Sequence, residues 1–300
     1  MPYINVDEAY ILDNTGLQVD NSVDYANANG NRNLLDNPFF TVNQRSFSSG
    51  AATAAGLKTV DRWEAIRAGV TLNSDGSLTV TPSEAQYGLL QYIEPSRLKV
   101  GYRYTMSAIV DGEILSGSFV FQSATYSAGY FATFSNGIRF FSNYGSGKLT
   151  FWVIRSSTTA YTVSAVKLEL GSYSTLINDV PPDYGEELRK CQRYFQRVTA
   201  TNYYAVFGTG YGWSATEAYI FVPTPVSLRD GGTITAVGSN IANFRTMGTG
   251  TNSYTISELS YQSKTQSGVT LHITGTFTAY GAAILFANNS ALYIDLSADL

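Results

Sequence analysis

Three hundred residues carry a formal net charge of -4, and only 14% of them are charged, against the roughly 25% of ordinary soluble domains. No basic run exists to hold a nucleic-acid backbone, and no apolar run approaches the roughly 18 residues of a membrane span. The first residues have neither the basic region nor the apolar block of a signal peptide, and a single cysteine excludes a disulfide framework. With 44% apolar residues the chain can bury a real core, so its polar surface has to come from Ser, Thr, Asn, Gln and Gly. Such a surface repels itself weakly, which favours assembly or a hydroxyl-rich ligand.

Residues 1–33 read as a separate arm. Ile4, Val6, Ile11 and Leu12 suffice for one short strand or docking segment, and Asp13-Asn14-Thr15-Gly16 signals a turn. The rest is too polar to fold alone, so the arm is either a frayed tail or a segment that docks on another protein. Residues 34–180 read as short strands, at 60–66, 78–81, 89–93, 102–110, 117–121, 130–134, 148–154 and 161–170, with Gly, Ser and Asn between them. They are rich in β-branched and aromatic residues, and no helical pattern separates them. The spacing predicts an antiparallel sandwich, a jelly roll of about eight strands, and not a parallel α/β sheet.

Residues 181–198 form the one stretch with a helical period. Pro181 and Pro182 limit where the helix starts, and Leu188, Cys191, Phe195 and Val198 share one face. Glu186 and Glu187 fall in the first turn and Arg193 and Arg197 in the last, as the helix dipole favours. Cys191 reads as a small core residue and not as a reactive thiol. Residues 199–300 read as a smaller β-sandwich, with strands at 219–226, 233–237, 254–259, 269–276, 282–287 and 292–296. Gly208-Thr209-Gly210-Tyr211-Gly212 precedes no helix and reads as a surface loop. The fold class is therefore mainly β: an N-terminal arm, a jelly-roll β-sandwich, one connecting helix and a C-terminal β-sandwich.

Catalytic constellations are hard to assemble from this composition. One His and one Cys supply neither a zinc site nor a nucleophile–base pair. Asp13, Asp20, Asp24 and Asp36 lack calcium-loop spacing, and no phosphate-cradling or dinucleotide-binding loop occurs. His272 alternates with Leu271 and Ile273 and reads as a surface histidine beside Thr270 and Thr274. Asp61 with Glu64, or Asp111 with Glu113, are the carboxylate pairs a glycosidase needs. Asp111-Gly112 reads more simply as a turn, and the charges of Asp61-Arg62-Trp63-Glu64 as pairing with one another. No catalytic residue, metal or cofactor is expected.

The functional signal lies in 22 Tyr, 16 Phe and 3 Trp. Trp63 and Trp152 flank strand patterns and read as core. Tyr126, Tyr130 and Tyr144, and then Tyr203, Tyr204, Tyr211 and Trp213, lie in glycine-rich, loop-like stretches. Rigid rings there can stack on sugars while Asn, Ser and Thr bond the hydroxyls, or can pack between subunits. Tyr203, Tyr204, Tyr211, Trp213, Tyr126 and Tyr144 are the candidate glycan-binding residues.

The run Asn33-Leu34-Leu35-Asp36-Asn37-Pro38-Phe39-Phe40-Thr41-Val42-Asn43-Gln44-Arg45, followed by Asp61-Arg62-Trp63, resembles the opening of a carbohydrate-binding-module-like jelly roll in bacteriophage tail-fibre and receptor-binding proteins. The resemblance is to phages and prophages of Gram-positive gut bacteria above all. Val166-Lys167-Leu168-Glu169-Leu170-Gly171, Tyr184-Gly185-Glu186-Glu187-Leu188 and Cys191-Gln192-Arg193-Tyr194-Phe195 are similar to the last strand of that module and the helix after it. Ala287-Asn288-Asn289-Ser290 and the terminal Tyr293-Ile294-Asp295-Leu296-Ser297-Ala298-Asp299-Leu300 resemble a fibre ending.

The resemblance implies a homotrimer on the virion, in the tail or another surface appendage. Residues 1–33 would attach it to other virion proteins, and a distal C-terminal domain would meet bacterial surface glycan. It implies no enzyme activity and no cofactor. The family shares no binding site residue by residue, and Trp63, Leu168, Glu169, Cys191, Arg193 and Tyr194 look architectural. In a trimer the Leu188, Cys191 and Phe195 stripe would face the threefold axis; otherwise it packs on a β domain. A purely structural virion role (head fibre, baseplate component or adaptor) stays open, as does, more remotely, a polysaccharide-degrading enzyme.

Overall fold

The computed structural model describes residues 32–54, 56–145, 147–229, 234–247 and 253–299. The arm expected over 1–33, with Asp13, Asp20 and Asp24, lies outside them apart from Arg32 and Asn33. The fold is mainly β, and the chain divides into two compact units, Met1–Glu187 and Leu188–Leu300.

In the first unit the strands are β1 (Ser49–Ala51), β2 (Leu57–Lys58), β3 (Trp63–Ile66), β4 (Ala68–Leu72), β5 (Leu78–Pro82) and β6 (Tyr87–Ile93). They continue with β7 (Arg103–Val110), β8 (Glu113–Val120), β9 (Gly129–Thr133), β10 (Ile138–Gly145), β11 (Lys148–Arg155) and β12 (Tyr161–Leu170). Two six-stranded antiparallel sheets form, in the orders β1-β4-β5-β12-β7-β8 and β2-β3-β6-β11-β10-β9. Alternate side chains of both, among them Met106, Val110 and Leu168 from one sheet and Phe140, Phe151 and Val153 from the other, fill a single core. Among the described residues twelve strands replace the expected eight or so. Gly69 weakens the pattern of β4, and the adjacent Phe140 and Phe141, on opposite faces, interrupt that of β10. Asp111 and Gly112 join β7 to β8 with φ of 51° and 84°, the left-handed pair that a two-residue hairpin turn requires.

Trp63 is core, as its strand pattern predicts, but Trp152 is not: it is half-buried on the outer face of its sheet. The charges around Trp63 also pair elsewhere than expected. Arg62 donates to Asp36 at 3.1 Å, Arg45 to Asp61 at 3.1 Å and Lys58 to Glu64 at 2.6 Å. Asp36 is buried, and Arg97 reaches its two oxygens at 3.0 Å each. Burial alone would raise the Asp36 carboxyl; Arg62 and Arg97 outweigh it and hold the group below the ordinary carboxylate range. In the other sheet, buried Lys167 of β12 donates to Asp179 at 2.6 Å, and the Thr175 backbone N–H donates to Glu169 at 2.8 Å. These bonds hold the segment after β12 against its sheet. Burial pushes the Glu169 carboxyl up.

Helix α1 (Tyr184–Gln192) begins just after the two prolines, as expected, but ends earlier. The next residues pair as strand β13 (Phe195–Thr199), so Arg189 and Lys190 occupy the last turn and not Arg193 and Arg197. Phe195 has thus left the helix, and of the expected stripe Cys191 and Phe195 are buried within the chain while Leu188 is half-buried. Arg197 instead forks onto Asp295 with two bonds of 2.7 Å and lies 3.8 Å from the Tyr293 ring centre.

The second unit adds β14 (Val206–Gly212), β15 (Glu217–Pro223), β16 (Thr235–Gly238), β17 (Phe244–Met247), β18 (Ser253–Thr255), β19 (Glu258–Lys264), β20 (Gly268–Thr274), β21 (Ala282–Ala287) and β22 (Tyr293–Ser297). A three-stranded sheet β13-β22-β16 and a seven-stranded sheet β18-β17-β21-β14-β15-β20-β19 enclose its core. The glycine run read as a loop is β14. A Cβ on Gly208 would lie 2.2 Å from the Phe221 carbonyl oxygen, and one on Gly210 only 1.8 Å from that of Tyr219. The glycines let β15 approach, and their abundance hides the strand.

Two outcomes follow. Asp36→Asn removes the charge between two guanidinium groups and should cost about 3–5 kcal/mol at neutral pH. Because the folded-state pKa is depressed, that contribution is present above the ordinary carboxylate pKa and disappears as pH falls through the lowered value. Urea denaturation should therefore show the variant and the parent converging in acid. Gly210→Ala should abolish the cooperative unfolding transition of the second unit and leave that of the first unchanged, as calorimetry would show.

Candidate functional site

In β15, Ala218, Ile220 and Val222 point into the core, so Glu217, Tyr219 and Phe221 face outward. Antiparallel register then sets a row across the outer face of the seven-stranded sheet: Ala282, Tyr211, Tyr219, His272 and Ser260. The Tyr211 and Tyr219 ring centres are 5.9 Å apart, and those of Tyr219 and His272 5.5 Å. The hairpin after β14 carries Trp213, whose ring centre lies 6.3 Å from that of Tyr219 in an edge-on arrangement. Tyr280 N–H donates to the Gly212 carbonyl at 2.7 Å, which brings the Tyr280 ring centre 6.4 Å from that of Trp213.

Five rings thus meet on one solvent-facing surface, within the spacing of favourable aromatic pairs. Trp213 is 51% exposed and Tyr280 80%, so the rings present area to solvent and do not merely cover one another. Polar groups border them. Glu217 Oε1 lies 3.6 Å from His272 Nε2, and Thr270 and Thr274 lie on the same face of β20. Exposed ring area edged by acceptors and hydroxyls matches a molecule with apolar ring faces and a hydroxylated rim.

The structure brings Tyr211 and Trp213 together and sets Tyr203 and Tyr204 apart. Tyr204 lies 5.9 Å from Phe286 and 6.4 Å from Tyr203 between ring centres. Phe286 is four residues along β21 from Ala282, or roughly 14 Å from the Tyr211 row. Tyr126 and Tyr144 lie on the first unit, half-buried against its core, Tyr126 edge-on to Phe121 at 6.4 Å and Tyr144 opposite Leu149. Tyr219, His272 and Tyr280 were missed. The alternation around Ile220 was signal enough for Tyr219, whereas His272 looked like an isolated surface residue until register put it beside two tyrosines.

Tyr204 and Tyr280 both hold left-handed backbone, with φ of 63° and 57°, a costly conformation for a bulky residue. Such strain gathers where a side chain must be presented at a fixed place.

No family model matches the chain, and no curated protein matches it. Among solved structures it is similar to the N-terminal CBM22-1–CBM22-2 tandem domain of Xyn10C from Paenibacillus barcinonensis. That likeness covers 89% of this chain and 97% of the other, at 11% identity and a TM-score of 0.28. A likeness at that level assigns neither fold nor ligand.

If Tyr280 is held for presentation, Tyr280→Gly relieves the backbone and should leave the melting temperature of the second unit unchanged or higher. A fall of several degrees in a thermal scan would instead make the ring structural.

Proposed function

We propose that this chain is a non-enzymatic bacteriophage appendage protein that binds host surface glycan with the outer face of its seven-stranded sheet. The carrying observation is the row Tyr211, Tyr219 and His272 edged by Trp213 and Tyr280. The phage setting, the homotrimer and attachment through residues 1–33 are supported by the motif resemblance in the sequence. The low charge and hydroxyl-rich surface suit the same reading.

Binding by rings alone needs no deep cleft, which is what a flat sheet face provides. Glu217 and Glu258 flank Thr274 across β20, and a glycoside hydrolase reading of this particular face would rest on them. Hydrolysis needs one carboxyl kept protonated by burial, and both of these side chains are solvent-accessible. A second, structural reading draws on Val206, 59% exposed, beside Tyr203, Tyr204 and Phe286, an apolar patch that suits contact between copies of the chain.

Tyr211→Ala, Tyr219→Ala and Trp213→Ala should each weaken adsorption to host cells, or binding on a glycan array, by about 2- to 10-fold with the fold retained. Unchanged binding by all three would leave the structural reading in place. Light scattering should give three times the monomer mass; a stable monomer rejects the trimer.

A further inference from the structure

A second aromatic cluster occupies the outer face of the first unit's sheet β2-β3-β6-β11-β10-β9. Register places Tyr130, Phe141 and Trp152 side by side on β9, β10 and β11. Tyr130 and Phe141 ring centres lie 4.9 Å apart, and those of Phe141 and Trp152 6.3 Å. With Ala85, Gln86 and Tyr87 they line a shallow pocket of about 280 Å³.

The walls are fixed by bonds at their edges. Trp152 Nε1 donates to Thr150 Oγ1 at 2.8 Å, and the Tyr130 hydroxyl donates to Gln86 Oε1. The Arg139 guanidinium lies 5.4 Å from the Tyr130 ring centre. Gln86 holds a φ of 70°, left-handed backbone that places its amide at the rim at a steric cost. Its two amide N–H groups remain donors at that rim.

We infer that this pocket is a second carbohydrate site, which takes one neutral pyranose ring against Trp152 and Phe141, with its hydroxyls on Gln86 and Tyr130. Trp152 and Tyr130 spend their polar hydrogens on Thr150 and Gln86, so they offer ring faces to a ligand. The Gln86 amide and the Tyr130 oxygen supply the polar rim. The volume lies just under the range of about 300–1,000 Å³ usual for small-molecule sites, which favours a single ring over an extended chain. The ligand class rests on the carbohydrate reading given above, but the residues are separate, so the two sites can fail independently.

The test uses the full chain carrying Tyr211→Ala and Trp213→Ala, which silences the other face. Saturation-transfer NMR with methyl pyranosides of glucose, galactose, mannose and N-acetylglucosamine is the readout. Transfer to at least one sugar is expected, with millimolar affinity, reduced about 3- to 10-fold by adding Tyr130→Ala or Gln86→Gly. Tyr130 is 48% exposed at an edge strand, and Gly suits the left-handed position of Gln86, so neither change threatens the fold. No transfer to any of the four sugars, or transfer untouched by both added changes, overturns the second site. Loss of glycan-array binding in the silenced chain alone concerns only the first face.

Discussion

A carboxylate shut between two guanidinium groups holds the first unit together. Asp36 accepts from Arg62 and Arg97, while its backbone exchanges bonds of 2.8 and 2.7 Å with the Gln91 amide. Next to it Asn37, left-handed at a φ of 54°, bonds through its side chain to Val42 and to the Asp61 carbonyl, and its own carbonyl accepts from Trp63 Nε1 at 2.8 Å. Asn33 meanwhile bonds Val166 and Leu168 on the opposite sheet. One short segment therefore stitches both sheets at the same end. Ionic groups at such depth stabilise only when every lone pair is satisfied, and here the charge is met by two cations and the backbone by an amide.

Aromatic residues in this chain divide between two tasks, and strand alternation does the dividing. Rings at inward positions, such as Trp63, Phe140 and Phe151, fill the core. Many rings at outward positions gather into surface clusters on both units, because antiparallel register stacks them side by side across strands. A low charge density makes these clusters possible, since few Lys or Glu side chains are available to occupy the outer faces.

The mainly β class and many of the strands were legible from sequence, as was the helix start behind Pro181 and Pro182. Strands 161–170 and 282–287 were read to the residue because turn residues bound them, Gly171 after the first and Gly281 and Asn288-Asn289 around the second. The helix end was not, since Phe195 and Val198 continue a helical spacing by coincidence, and only the pairing of β13 with β22 reveals them as strand. Two of the five rings of the candidate surface were legible: Tyr211 and Trp213 sit near glycines and looked exposed. Tyr126 and Tyr144 did too, but glycine neighbours mark a turn and say nothing about which side of the chain faces the core. Tyr219 and His272 lie far apart in sequence, and long-range register alone makes them neighbours.

The glycine-alternating strand β14 has a consequence for how such a surface can vary. Its inward positions, Gly208 and Gly210, are closed to any side chain by the carbonyl groups of β15. Its outward positions, Thr209 and Tyr211, touch solvent and carry no part of the core. Core and exposed face are thereby written on alternate letters of one strand. Substitutions that retune the exposed face leave the packing underneath untouched, and those that damage the packing fall on residues no ligand would ever meet.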